Sequence, residues 1–155
     1  MAKPLISLTI VISAISLLGS PCCTKGSGGD NKSNRIVGTW VVEDTAAPFH
    51  YHMYVFNADG TMQQANPDAG DANTSDSDGK GVWLIDGDHI KGKFVEVTAD
   101  RLTHQFVSRG EISYEIRVDA KGFTGTAIAR FYDLNDRPVQ SPISTSLVGK
   151  RVTLP

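Results

Sequence analysis

Glu96, His104 and Tyr114 are the residues whose types and spacing best suit acid–base chemistry. Each falls on the face of its predicted strand that also carries apolar side chains, such as Phe94 and Phe106. A carboxyl group held among apolar side chains has a raised pKa and can act as general acid or base. Tyrosine and histidine can polarise a carbonyl group or orient a water molecule. These three residues are the predicted catalytic set of an enzyme, and a solvated Glu96 at a strand end is the alternative.

His50, His52 and Tyr54 form a second candidate set, on a strand that begins near residue 49. Residues two apart on a strand share one face, so both imidazoles could reach one ligand. A zinc or iron site needs at least three converging groups, and strand spacing alone does not supply that convergence. We predict that these side chains line a ligand pocket or lie solvated near a barrel mouth, and we predict no metal site.

The segment from Phe123 to Phe131 places small residues between two aromatic ones. Its predicted inward set is Phe123, Gly125, Ala127, Ala129 and Phe131. The small side chains leave room for something bulky, which is either a core aromatic ring or a ligand. Ala127 and Ala129 are therefore predicted ligand contacts.

The elements that must position these residues are short strands. Runs rich in Val, Ile, Phe, Tyr and Thr alternate with turn signals such as Asn57-Ala58-Asp59-Gly60 and Arg109-Gly110. We predict an all-β fold, an antiparallel up-and-down β-barrel of eight or nine strands, with a two-sheet sandwich as the alternative. The predicted strands are residues 36–43, 49–57, 61–66, 80–86, 89–97, 101–109, 111–119, 122–132 and 143–153.

The beginning of the chain has the order of an export signal. Lys3 precedes an apolar run from Leu5 to Leu18 that ends at Gly19-Ser20-Pro21. The run is shorter than the roughly 20 residues of a membrane-spanning helix, which makes a retained anchor the lesser alternative. The expected location is outside the cytoplasm, whether periplasmic, lipid-anchored in the cell envelope or secreted. The predicted organisation is a signal peptide at residues 1–21, a flexible Gly/Ser-rich linker at 22–34 and the barrel domain at 35–155.

Both cysteines lie just after the apolar run. Cys22 is placed as in bacterial lipoprotein signals, which this segment resembles, so lipidation of Cys22 and simple cleavage both remain open. Because Cys22 and Cys23 precede the domain, we predict no disulfide and no thiol nucleophile in the barrel. A lipid on Cys22 would be the only link to a membrane.

Composition excludes several classes of function. The formal net charge is −2 and no basic stripe is present, so nucleic acid is not an expected partner. The chain has no P-loop and no dinucleotide fingerprint, and we predict no cofactor. The acidic stretch from Asn66 to Lys80 lacks the Gly and late Glu of an EF-hand and is predicted to be a loop or lid over the barrel mouth.

Short motifs carry a resemblance to lipocalins and related calycin barrels. Gly38-Thr39-Trp40 resembles the Gly-x-Trp opening of lipocalins, and Phe56-Asn57-Ala58-Asp59-Gly60-Thr61 is similar to a turn of small bacterial lipocalin-like domains. Gly81-Val82-Trp83 fits the same pattern. The resemblance implies that Arg151, near the last strand, packs over the indole of Trp40 and closes one end of the barrel.

Three functions remain open from the sequence. The first is binding of a small apolar or amphipathic molecule outside the cytoplasm, in a pocket with apolar walls and a few polar groups. The second is a cofactor-independent cyclase, isomerase or hydratase that uses acid–base residues in the barrel. The third is an envelope protein whose outer surface binds a partner. Fold alone does not choose among them.

Overall fold

The computed structural model describes residues 35–67 and 71–155. The predicted signal peptide, the linker and Cys22 lie outside these residues. No helix within the described part is long and apolar enough to cross a membrane. The strands are β1 (Gly38–Asp44), β2 (Tyr51–Phe56), β3 (Thr61–Ala65), β4 (Thr74–Asp76), β5 (Gly79–Asp86), β6 (His89–Asp100), β7 (Phe106–Val118), β8 (Phe123–Tyr132) and β9 (Ile143–Arg151).

Eight of these strands close into a ring. Neighbours pair antiparallel in the order β1-β2-β3-β5-β6-β7-β8-β9, and β9 pairs with β1 to complete the barrel. β4 pairs only with the end of β6, where Asp76 lies opposite Thr98. Closure gives every strand of the ring a partner on both sides and removes the open sheet edges. The predicted all-β, antiparallel up-and-down barrel is therefore confirmed, and the sandwich alternative is wrong.

Side-chain alternation sorts residues between the interior and the outer wall. On β6, Ile90 and Phe94 are buried, as predicted. Lys91 lies on the outer wall, with its ammonium nitrogen 2.6 Å from a carboxylate oxygen of Asp86 and 3.7 Å from one of Glu115. Such exposed ion pairs contribute little to stability, but they show which face meets water.

Aromatic rings fill one half of the barrel. Trp40 and Phe123 form a tilted contact with ring centroids 5.1 Å apart, and Phe56 meets Tyr114 edge-on at 6.1 Å. Edge-to-face and tilted contacts of this kind add to the free energy gained by burying the rings. These side chains occupy the interior of this half of the barrel. The cluster consists of Trp40, Tyr54, Phe56, Trp83, Phe94, Tyr114 and Phe123.

Arg151 closes the aromatic end of the barrel. Its guanidinium carbon lies 4.4 Å from the centroid of the Trp40 ring, and Nη1 donates a hydrogen bond of 2.7 Å to the carbonyl oxygen of Val37. The Trp40 indole nitrogen donates to the carbonyl oxygen of Ile36 at 2.8 Å. The arrangement matches what the lipocalin resemblance implies for these two residues.

Replacing Arg151 with alanine should lower the free energy of unfolding by about 1–2 kcal/mol, because a cation–π contact and backbone hydrogen bonds are lost together. Urea denaturation followed by tryptophan fluorescence measures the change. Lys150→Ala, one residue earlier and on the outer wall, is the control and should change stability by less than about 0.5 kcal/mol. Equal effects of the two substitutions would show that the guanidinium does not hold this end closed.

The turn between β6 and β7 lies where a strand was predicted. Asp100 Oδ1 accepts hydrogen bonds from the backbone nitrogens of Leu102 and Thr103, at 2.9 and 2.7 Å. His104 then adopts a left-handed conformation with φ of 58°. The predicted strand 101–109 is wrong in its first half, because an aspartate side chain builds this turn without glycine.

The predicted turn at Arg109-Gly110 is also wrong, since both residues lie inside β7. Gly110 pairs with Glu96 of β6 and with Phe131 of β8. A Cβ atom on Gly110 would come within 2.9 Å of Glu96 Cγ and 3.1 Å of the Phe131 ring. The glycine thus provides space for two interior side chains and does not turn the chain.

The acidic stretch between β3 and β5 is partly ordered as a strand. Thr74–Asp76 forms β4, and Asp71 Oδ1 accepts hydrogen bonds from the backbone nitrogens of Asn73 and Thr74. The sequence prediction of an unbroken loop from 66 to 80 therefore needs this correction. Whether the stretch acts as a lid stays a prediction.

Candidate functional site

A cavity of about 440 Å³ occupies the half of the barrel opposite Trp40 and Arg151. We call this half the open end. β1, β3, β6 and β8 end there, while β2, β5, β7 and β9 begin there, as antiparallel pairing requires. Eight strands can enclose one small ligand in such a space. The aromatic cluster forms its floor, through Tyr54 and Phe94.

The cavity has one largely apolar wall. Ala127 and Ala129 of β8 line it, as predicted from their small size between two phenylalanines. Phe131, Ile112 and Ile143 lie beside them on β8 and its two neighbouring strands. The inward set predicted for β8 is confirmed, and the small side chains leave empty volume here instead of admitting core rings.

Glu96 lies in the polar wall of the cavity, on the inward face of β6. Burial raises the pKa of its carboxyl to about 7, and the negative charge of Asp76 adds to the rise. A hydrogen bond of 3.0 Å from Asn66 Nδ2 to Glu96 Oε2 acts in the opposite direction. Near neutral pH the carboxyl is therefore present in both protonation states and can accept or donate a proton.

Asn66 connects Glu96 to His52. Because the Asn66 amide nitrogen donates to the carboxylate, its Oδ1 faces His52 Nδ1, at 2.6 Å. Nδ1 must then carry the proton, which leaves Nε2 of a neutral imidazole as an acceptor. His52 Nε2 is buried and has no hydrogen-bond partner among the described residues. Gln64 joins the group, because its Nε2 donates to Asn66 Oδ1 while its Oε1 accepts from the backbone nitrogen of Gly79 at 3.0 Å.

Further carboxylates line the same cavity. Asp44 Oδ1 accepts a hydrogen bond of 2.6 Å from the Thr145 hydroxyl, and Asp76 Oδ1 accepts one of 2.6 Å from the Thr98 hydroxyl. Asp71 also lies in the lining, and backbone hydrogen bonds from its own turn lower its pKa. No lysine or arginine is among the cavity-lining residues that the structure describes. The polar wall is therefore negatively charged.

The proposed trio of Glu96, His104 and Tyr114 does not assemble. His104 is exposed on the β6–β7 turn, so the prediction that it faces inward is wrong. The alternation that suggested it assumed a strand from residue 101, but β7 begins only at Phe106. Tyr114 faces inward but lies in the aromatic cluster, where its hydroxyl donates to Met62 Sδ at 3.0 Å. Burial raises its pKa.

The second predicted set is divided. His52 and Tyr54 line the cavity. His50 precedes β2, is exposed and is not part of the lining, because the strand begins only at Tyr51. Burial raises the pKa of Tyr54 well above its ordinary value. Its hydroxyl has no hydrogen-bond partner within the described part of the chain, although only 3% of the residue is exposed.

Sequence reasoning missed several polar residues of the site. Gln64 and Asn66 share the parity of buried Met62 on β3, so alternation could have placed them inside. Asp44 follows Trp40 and Val42 with the same parity on β1. Asp76 gave no such signal, because the three-residue strand β4 has no apolar residue that marks its inner face.

The described residues hold no group of three or more His, Cys, Asp or Glu side chains arranged to bind a metal ion.

Comparisons with protein-family models, with curated proteins and with solved structures give no match for this chain. The geometry itself defines the class of protein: a closed eight-stranded antiparallel β-barrel, filled at one end and hollow at the other.

Proposed function

We propose that this protein binds a small amphipathic molecule in the cavity at the open end, in the manner of lipocalin-like barrels. The observation that carries the proposal is the division of the cavity between an apolar wall at Ala127, Ala129 and Phe131 and a polar wall at Glu96 and Asn66. Pockets for small molecules combine apolar area with a few placed polar groups in this way.

The order of residues 1–21 supports action outside the cytoplasm, as an exported or lipid-anchored protein. We therefore expect the ligand to come from the periplasm, the cell envelope or the medium. Native mass spectrometry of the protein purified from its own host would show a bound small molecule as added mass.

Replacing Ala129 with phenylalanine should abolish ligand binding, because the added ring occupies the cavity. The neutral fluorescent probe N-phenyl-1-naphthylamine provides the measurement, and we expect its affinity to fall at least tenfold. Ile128→Phe, on the outer wall next to Ala129, is the matched control and should bind the probe as the unmodified protein does. Unchanged probe binding by the Ala129→Phe protein would overturn the proposal.

A second candidate function is acid–base chemistry on the bound molecule. It is favoured by a carboxyl at Glu96 with a pKa of about 7 inside the cavity, linked through Asn66 to His52. His104 and Tyr114 take no part in it. Incubating the molecule recovered by mass spectrometry with the unmodified protein and with Glu96→Gln tests this function. Conversion by the first protein alone would support it, and conversion by neither would exclude it.

A further inference from the structure

We propose that the ligand of this cavity is a cationic amphiphile, an ammonium group on an apolar body, with the ammonium bound between Glu96 and Asp76. The inference rests on the proposed function and names the chemistry of the ligand head group. It starts from the negative charge of the polar wall. Asp44, Asp71, Asp76 and Glu96 line the cavity, and no lysine or arginine lies among its described lining residues.

Strand pairing brings the two proposed ammonium ligands together. Asp76 of β4 lies opposite Thr98 of β6, and Thr98 shares the inward face with Glu96, two residues earlier. The Thr98 hydroxyl holds Asp76 Oδ1, and Asn66 holds Glu96 Oε2. The second oxygen of each carboxylate has no hydrogen-bond partner among the described residues and is available to a donor.

A cation between these groups would remove an unfavourable interaction. Two carboxylates that share a partly buried site repel each other, and the negative charge of Asp76 raises the pKa of Glu96. Arg101, just after β6, donates to the backbone oxygens of Asp71 and Thr74 and is not in the lining. An anionic ligand would instead meet four carboxylates with no compensating positive charge.

Two side chains of the cavity provide an independent indication of a bound donor. His52 Nε2, an acceptor when Nδ1 carries the proton, is buried and has no hydrogen-bond partner among the described residues. Tyr54 is 3% exposed and also lines the cavity, and no described residue forms a hydrogen bond with its hydroxyl. A buried polar group without a hydrogen bond costs free energy, so a ligand that supplies one is favoured. An ammonium group carries two or three N–H donors, which suits carboxylate and hydroxyl oxygens together.

The apolar half of the cavity limits the rest of the ligand. Ile112, Ala129, Phe131 and Ile143 form a wall that can cover an alkyl chain or a single ring system. Burying this surface contributes roughly 25 cal/mol per Å² before the costs of ordering the ligand. The ammonium gives orientation and the apolar body gives affinity.

Three ligands with the same chain and different head groups test the inference: octylamine, 1-octanol and octanoate. Isothermal titration calorimetry at pH 8 measures each affinity, because Glu96, with a pKa of about 7, is mostly ionised there and the amine is protonated. We expect octylamine to bind at least tenfold more tightly than 1-octanol, and octanoate to bind most weakly.

Charge-removing variants locate the head group. Glu96→Gln and Asp76→Asn should each lower the affinity for octylamine about tenfold and leave 1-octanol binding within about twofold. Glu43→Gln makes the same chemical change on the outward face of β1, next to cavity-lining Asp44, and should leave all three affinities unchanged. The variants that remove a cavity carboxylate also relieve repulsion, so they are expected to remain folded.

The outcomes separate the inference from the proposed function. Two results would contradict the inference of a cationic ligand and leave the binding function intact. In the first, 1-octanol or octanoate binds as tightly as octylamine. In the second, the neutral naphthylamine probe binds and octylamine does not. If neither the probe nor any of the three ligands binds, the proposed function fails and the inference fails with it.

Discussion

Replacing Glu96 with glutamine should stabilise the protein in alkaline solution by about 3 kcal/mol and leave its stability in acid nearly unchanged. Burial raises the pKa of this carboxyl from an ordinary 4.5 to about 7. Each pKa unit corresponds to 1.36 kcal/mol, which gives the expected size of the effect. Glutamine keeps an oxygen for the hydrogen bond from Asn66 but carries no charge to bury.

The direction of the pH dependence follows from proton binding. A carboxyl with a raised pKa binds its proton more tightly in the folded state than in the unfolded state. Its contribution to stability is therefore fully present below pH 4.5 and is lost as the pH rises through about 7. The unmodified protein loses stability over this range relative to Glu96→Gln.

Urea denaturation of both proteins at pH 4 and pH 8 measures this difference. Aspartates such as Asp59 and Asp100, whose pKa values are lowered by hydrogen bonds, make the free energy of unfolding rise with pH. Both proteins contain these aspartates, so their contribution cancels when the two proteins are compared. Glu43→Gln on the outer wall is the control and should follow the unmodified protein at both pH values. A difference between the Glu96→Gln and unmodified proteins that does not change with pH would mean that Glu96 is solvated.

Replacing Gly92 with alanine should destabilise the protein by about 3 kcal/mol at any pH. Gly92 pairs with Tyr114 across β6 and β7, and the Tyr114 ring lies directly over it. An added Cβ would overlap the Tyr114 ring and come within 2.7 Å of the carbonyl oxygen of Val82, so the ring must leave its position. Overpacking of a well-packed core costs typically 1–3 kcal/mol, and here a backbone atom limits the relaxation.

Gly87→Ala separates this steric effect from the general cost of removing a glycine. Gly87 has a positive φ of 60°, but an added Cβ there meets no atom within 4 Å. We expect a loss of only about 1 kcal/mol, the ordinary cost of a left-handed alanine. Thermal unfolding monitored by circular dichroism measures both variants. Equal losses at the two positions would show that Tyr114 is not tightly packed against Gly92.

Gly92 and Gly110 show one structural use of glycine inside long strands. Gly92 gives space to the Tyr114 ring in the aromatic floor, and Gly110 gives space to Glu96 in the cavity above it. Each of these side chains lies over the glycine that is paired with it on the neighbouring strand. The position of the Glu96 carboxyl thus depends on a residue that has no side chain of its own.

Alternation of side chains predicted most of the interior correctly. On β6, β7 and β8, apolar residues occupy every second position over most of the strand and so identify its inner face. This pattern correctly predicted that Glu96, Ala127 and Ala129 point inward. The prediction worked there because a strand places every second side chain on one face. It failed at His104, which lies in an aspartate-capped turn, whereas β7 begins only at Phe106.

The sequence by itself determined the fold class, most strands of the ring and the face of most inward residues, because these depend on local alternation and on turn-forming residues. It divided β7 wrongly at Arg109-Gly110, which the structure shows inside one continuous strand. Only the tertiary structure decided which end of the barrel is hollow and which polar residues meet there. Alternation gives a face but not the height of a residue along the barrel axis, which depends on the register between strands distant in sequence. Glu96, Asn66 and His52 come together through that register, and so does Asp76, on a strand that sequence patterns did not reveal.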